Sequence, residues 1–178
     1  MTQKLAAAGF GYFAYDARGH GDSTKTTSGT TVSYKYFGAP GPDSQWHAMI
    51  GDLDRAVRFL AATKNIKESS LVIAGASVGA NIALTWAANH PSVVAIIVLS
   101  PGLEYAGIET SGLISQFSHR RIAFAASPND SYAYQSSHML LEQIASNPRA
   151  VFFEGKAGHG VQMFNGTFEE ELVRWLNQ

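Results

Sequence analysis

Apolar residues along the chain fall into short runs separated by longer amphipathic stretches. Gly11–Tyr15, Leu71–Ala74, Val93–Leu99, Ile122–Ala125 and Ala150–Phe153 are rich in β-branched or aromatic residues. Most are apolar at successive positions rather than at every second one, the pattern of strands covered on both faces, as in a parallel sheet. Between them lie helical patterns. Trp46, Met49, Ile50, Leu53, Ala56, Val57 and Leu60 share one stripe, with Asp43 or Ser44 placed to cap its start. Val78–Asn89 is rich in Ala and Leu and stops before Pro91, and Tyr134, Leu140, Leu141 and Ile144 predict a helix ended by Asn147-Pro148. Thr167-x-x-Glu170 reads as a capping box ahead of Leu172, Val173, Trp175 and Leu176. Strand–helix alternation of this kind predicts an α/β fold with a mostly parallel sheet of about five strands. Two irregular stretches interrupt it, Ser23–Pro42 and Pro101–His119, and the first is long enough to be either functional or mobile.

Length and composition narrow the field. At 178 residues and 46% hydrophobic, the chain suits one domain, residues 1–178, rather than two. A net charge of −1 with mixed signs offers no basic stripe for a phosphate backbone, so nucleic acid is not an expected partner. The absence of cysteine excludes disulfides, thiolate zinc sites, iron–sulfur clusters and cysteine nucleophiles together. No apolar stretch approaches the ~20 residues that span a bilayer. Leu5–Tyr15 is interrupted by glycine and runs into Asp16-Ala17-Arg18-Gly19-His20, so it reads as a buried helix end and strand rather than a signal-peptide core. The compartment expected is the cytoplasm, although the absence of cysteine does not bear on it.

In an open α/β sheet, ligands sit at the carboxyl ends of the strands. The residues leaving the five runs are Asp16, the segment Gly75-Ala76-Ser77-Val78-Gly79, Ser100, a turn containing Asp130, and a loop leading to His159. Gly75–Gly79 fits G-x-S-x-G between a strand and a helix. A serine on so sharp a turn projects its Oγ above the sheet, and its neighbours two residues away must be small because strand and helix nearly touch there. The N–H of Val78, at the start of the following helix, then points at a developing oxyanion. The pattern alone is weak, and a Gly-rich structural turn is the alternative. A phosphate-binding loop fits less well because its Lys-[Ser/Thr] ending is missing.

A serine nucleophile needs a base, and the base an orienting acid. Of six histidines, His90, His138 and His47 lie in or at the ends of helical patterns. His20 follows the first run, where a turn-stabilising role is commoner. His159, within Gly158-His159-Gly160, can be carried over the sheet toward Ser77, with an exposed loop histidine as the alternative. Asp130 follows the fourth run and is the only carboxylate between Glu109 and Glu142; its alternative role is the N-cap of the next helix. The chain order Ser77…Asp130…His159 is far more specific than any one of the three.

These segments resemble the α/β-hydrolase superfamily, in particular its small dienelactone-hydrolase-like and esterase members. The matching residues are Tyr15-Asp16-Ala17-Arg18-Gly19-His20-Gly21-Asp22-Ser23, the Gly75–Gly79 turn, Leu99-Ser100-Pro101-Gly102, the Asp130 turn and Gly158-His159-Gly160. The resemblance implies Ser77 as nucleophile, Asp130 as acid, His159 as base, and hydrolysis of an ester or related acyl bond without metal or organic cofactor. It also implies three earlier strands that this sequence does not show, since the D-x-R-G-H-G-x-S segment follows the family's fourth strand. The loop that commonly supplies a second oxyanion donor is among the unmatched parts, and losing one such donor typically costs ~10²–10³ in kcat.

Without the family's third strand, Gly11–Tyr15 must pair directly with Leu71–Ala74 or leave a gap. An exposed edge of this kind invites self-association, most simply as a two-fold dimer. Pro101–Arg120 is too short for an elaborate cap domain, which favours small or short-acyl esters. Tyr34, Tyr36, Phe37 and Trp46 either wall the pocket or pack the long loop. Three readings stay open: a carboxylesterase, a non-catalytic binding or scaffold domain with the same fold, and a hydrolase of thioesters, lactones or amides using the same residues.

Overall fold

The computed structural model describes residues 1–178. In chain order it contains α1 (Thr2–Ala7), α2 (Gln45–Lys64), β1 (Val72–Ala76), α3 (Val78–Ala88), β2 (Ala95–Leu99), β3 (Glu104–Tyr105), β4 (Ile108–Glu109), β5 (Arg121–Ala126), α4 (Ser131–Glu142), β6 (Ala150–Glu154) and α5 (Thr167–Leu176). Four strands form a parallel sheet in the order β1-β2-β5-β6, and β3 and β4 make a separate antiparallel hairpin. The register aligns Ala76, Leu99, Ala125 and Phe153 in one row across the carboxyl end. Ser77 and Ser100 therefore leave adjacent strands at the same level.

The central strands β2 and β5 are buried on both faces, which explains their unbroken apolar runs, while β1 and β6 at the edges are partly exposed. On one side Ile96 and Val98 of β2 and Ile122 and Phe124 of β5 pack with Leu84 and Trp86 of α3 and Leu140 of α4. On the other, Ala95, Ile97, Leu99, Ala123 and Ala125 meet Phe168, Leu172 and Trp175 of α5. Both sets are continuous with partly buried residues of α2 on the first side and of α1 on the second. The result is an α/β-hydrolase-type arrangement without a large cap. No helix is long and apolar enough to cross a membrane.

Ser44, not Asp43, caps α2, accepting from the His47 N–H at 3.2 Å. Arg18 ties the first irregular loop to that helix, donating from Nε and Nη2 to the two oxygens of Asp52 at 2.7 and 2.8 Å. Phe37 is buried there against Trp46, Met49, Ile82 and Ile108, and Tyr34 stacks on His20, so these aromatics pack the loop, whereas Tyr36 points into solvent. The His20 Nδ1 lies 2.9 Å from the Arg18 carbonyl, consistent with a turn-stabilising role.

Three expectations are corrected. Gly11–Tyr15 is not a strand: its backbone joins no ladder and all five residues are exposed, with Phe13 stacked on Phe59 of α2 instead. Strand propensity describes a fit to a pleated neighbour, and no strand lies alongside to supply one. The gap foreseen beside β1 is present, leaving the outer edge of Val72–Ala76 unpaired. The helix before this segment exists as α1 but has no buried residue, so it is a surface helix rather than a buried end. The capping box of α5 is displaced by one residue. Glu169, not Glu170, reaches back, accepting from the Asn165 and Gly166 N–H groups at 2.9 and 2.7 Å, while Glu170 pairs with Lys4.

Candidate active site

Ser77 occupies the turn between β1 and α3 with φ 55° and ψ −129°, a conformation that L-residues rarely hold without support. Its N–H donates to the Leu99 carbonyl at 2.9 Å, and its carbonyl accepts from the Ala80 N–H at 2.8 Å, so both ends of the strained peptide are fixed. Gly75 is required by contact: a Cβ there would collide with the carbonyl of Gly79. The N–H of Val78 begins α3 and makes no backbone hydrogen bond, which leaves it free for an anion at the helix N-terminus. Ser77 Oγ makes no hydrogen bond within the chain.

Asp130 and His159 come together. Asp130 Oδ2 lies 2.7 Å from His159 Nδ1, with 15% of the aspartate side chain exposed and 39% of the imidazole. An ionised carboxylate can only accept, so the pairing calls for a proton on Nδ1, and in the neutral tautomer that has it Nε2 keeps the ring's lone pair. Asp130 is indeed the N-cap residue of α4, yet its side chain makes no capping bond. The loop bearing His159 closes on the serine turn. A Cβ built on Gly160 would lie 3.1 Å from the Ala76 Cβ and 3.9 Å from the Ser77 nitrogen, so the loop passes close to the Ser77 backbone beside His159.

The surroundings hold this loop at several points that sequence reading did not single out. The Gly158 N–H donates to Asn129 Oδ1 at 3.1 Å. The Ser127 hydroxyl lies 2.5 Å from the Gly158 carbonyl and 2.7 Å from Asn129 Oδ1, and its single proton serves one of them. Tyr105, on β3, sets its ring edge-on to His159 at a centroid distance of 6.2 Å. Burial, reinforced by the nearby charge of Asp130, pushes the Tyr105 hydroxyl up to about 12, so it stays neutral under ordinary conditions. The hairpin carrying Tyr105 is anchored by buried Asn81 of α3, which donates to the Ile108 carbonyl at 2.8 Å and accepts from the Gly102 N–H at 3.1 Å. A buried asparagine on an otherwise apolar helix face is the one signal in the sequence that marks this anchor.

A strained serine after one strand, an acid–histidine pair after two others, and a free amide beside the serine point to acyl transfer. The family model named "Serine aminopeptidase, S33" matches residues 1–160. The chain belongs to this α/β-hydrolase family. Relatives among solved structures share the fold. The chain aligns with an esterase of Pyrococcus furiosus, Pf2001, at TM-score 0.73 and 16% identity, covering 97% of this chain and 71% of that one. An esterase domain from a Rhodothermus marinus protein aligns at TM-score 0.56 and 19% identity, covering 71% and 65%. For a dienelactone hydrolase described as putative, from Klebsiella pneumoniae, the values are 0.60 and 16%, over 75% and 61%. Among curated proteins, the uncharacterized YnbC of Escherichia coli K12 is 27% identical over 105 residues, which are 58% of this chain and 16% of that protein. The chain thus spans about a sixth of that relative and about two thirds of the esterases.

Proposed function

We propose that this S33-family hydrolase is a carboxylesterase of small or short-acyl esters, with Ser77 as nucleophile, His159 as general base and acid, Asp130 as the residue that orients the imidazole, and Val78 N–H as an oxyanion donor. The observation that carries the reading is the 2.7 Å Asp130–His159 pair on a loop that passes close to the Ser77 backbone. In the first half-reaction Ser77 Oγ bonds to the carbonyl carbon as His159 Nε2 takes its proton, and the carbonyl oxygen becomes an anion facing Val78 N–H. Collapse of that intermediate breaks the ester C–O bond, and the leaving alkoxide takes the proton from Nε2. A water then repeats the sequence in reverse, giving the acid and free Ser77. Nucleophile–base hydrogen bonds are often loose in ligand-free sites and tighten with substrate bound, so the unbonded Ser77 Oγ is compatible with this role.

Small substrates are favoured because the segment between β2 and β5, which brings Tyr105 to His159, holds a short hairpin, Glu104–Glu109, and no large cap. The family's name favours a second reading, cleavage of an amide through the same residues. A panel of p-nitrophenyl esters of graded acyl length beside aminoacyl p-nitroanilides separates the two. Ester turnover and fluorophosphonate labelling, both lost in Ser77→Ala, are the expected results. Faster anilide cleavage would transfer the assignment to the amide reading, and an unlabelled wild-type protein would leave a non-catalytic binding domain.

A further inference from the structure

We propose that Ser100 is a positioning residue for this reaction, its hydroxyl oxygen holding the His159 loop against the nucleophile turn by accepting the N–H of Gly160. The inference rests on the Ser77–His159–Asp130 reading above and extends it to a residue that touches none of the reacting atoms.

Ser100 leaves β2 at φ 49° and is fully buried. Glycine adopts that backbone conformation without strain, whereas a side chain there meets steric resistance. What serine has and glycine lacks is the Oγ, and that atom lies 2.8 Å from the Gly160 nitrogen in a buried hydrogen bond across 60 residues of sequence.

The neighbouring backbone joins the other parts of the site at the same point. The Leu99 carbonyl accepts from Ser77 N–H at 2.9 Å, and Ser100 N–H donates to the Ala125 carbonyl of β5, the strand that leads to Asp130, at 2.6 Å. The serine turn, the acid's strand and the histidine's loop therefore meet at Leu99-Ser100. Asn129 and Ser127 clamp Gly158 from the aspartate side, and Ser100 clamps Gly160 from the serine side.

Removing the Oγ strands a buried N–H, which the loop relieves by shifting Gly160 toward water. Gly158 remains held, so Asp130 and His159 stay paired while Nε2 moves away from Ser77. A displacement near 1 Å of a reacting group can cost ~10²-fold in rate. The expected signature is thus a fall in kcat without a matching change in KM.

The test compares wild type, Ser100→Gly, Ser100→Ala and Ser77→Ala with p-nitrophenyl acetate, together with the second-order rate of fluorophosphonate labelling and thermal melts. Ser100→Gly keeps the backbone conformation and is expected to melt no lower than Ser100→Ala. Both are expected to lose about 10- to 100-fold in kcat and in labelling rate, with KM within about twofold of wild type. An unchanged kcat in Ser100→Gly, beside an inactive Ser77→Ala, would overturn the positioning role and leave the triad standing. A rise in KM alone would assign Ser100 to substrate binding, and an unfolded Ser100→Gly would make it a structural support; both count against the proposal. Full activity in Ser77→Ala would instead remove the reading on which it rests.

Discussion

Asp130 stands at the N-cap of α4 and turns its carboxylate away from the helix, to 2.7 Å from Nδ1 of His159. An aspartate in that position ordinarily accepts from the first-turn amides and stabilises the helix by about 1 kcal/mol. Here that contribution is absent, and the side chain is spent on an imidazole that follows another strand.

Replacing Asp130 by Asn therefore separates two roles. As the orienting acid, Asp130→Asn is expected to lower kcat by as much as ~10⁴, because an amide can hold the imidazole in the wrong tautomer. As a cap it has little to lose, so the melting temperature should stay close to that of wild type. Steady-state kinetics beside a thermal melt decide the matter. A large drop in melting temperature with near-normal turnover would return Asp130 to the helix.

Much of this arrangement is legible in the sequence, for a physical reason. A strand buried on both faces must be apolar throughout, so β2 and β5 announce themselves, and the residue after each strand end is a candidate by position alone. Ser77, Asp130 and His159 are found in that way. Gly11–Tyr15 misleads because its composition suits a strand while strand formation depends on a partner that no local pattern reveals. The start of α5 misleads for a smaller reason. Gly166 at φ 93° shifts the first turn by one residue, and Asn165 rather than Thr167 supplies a side-chain acceptor there, for Phe168 N–H. The roles of Ser127, Asn129 and Ser100 escape notice, although Ser100 stands at a strand end, because they are hydrogen bonds to a loop 29 to 60 residues away.

The Arg18–Asp52 pair predicts a response to acid. Burial alone would raise the Asp52 carboxyl, but the hydrogen bonds and charge of Arg18 outweigh it and hold the group below its ordinary 3.8. A carboxylate whose folded value is lowered stabilises fully above the unfolded value, and that contribution is lost as pH falls through the folded one. Asp52→Asn should thus cost roughly 1.5–3 kcal/mol at neutral pH, as for a hydrogen bond to a charged group. The difference from wild type should shrink below the ordinary carboxylate range. Urea midpoints across an acid series measure it, and a gap that stays constant into strong acid would count against the pair.

The open edge of β1 leads to an expectation about assembly. Its outer N–H and C=O groups have no strand beside them, and Tyr12, Phe13, Tyr15 and Phe59 expose 40–59% of their surface. Unpaired edges near apolar surface favour pairing with another chain. Light scattering at micromolar concentration is expected to give a mass above that of the 19.1 kDa chain. A monodisperse monomer would dispose of the expectation.

The two glycines of the serine turn look equivalent in sequence and are not equivalent in space. A Cβ on Gly75 would strike the backbone of Gly79 and Ala80, which cannot yield without pulling α3 away from β1. A Cβ on Gly79 would meet nothing within 4 Å. Gly75→Ala should therefore destabilise by at least the 1–3 kcal/mol typical of overpacking, with the strained Ser77 conformation lost as α3 shifts. Gly79→Ala lies in the first turn of α3 at an ordinary φ and should stabilise by up to about 1 kcal/mol, since alanine is the better helix former. Chemical denaturation of the two variants beside wild type reads both effects, and fluorophosphonate labelling reports the state of the turn. Equal destabilisation would mean that α3 and β1 approach each other differently from the geometry described, with the serine turn no longer set by contact at Gly75.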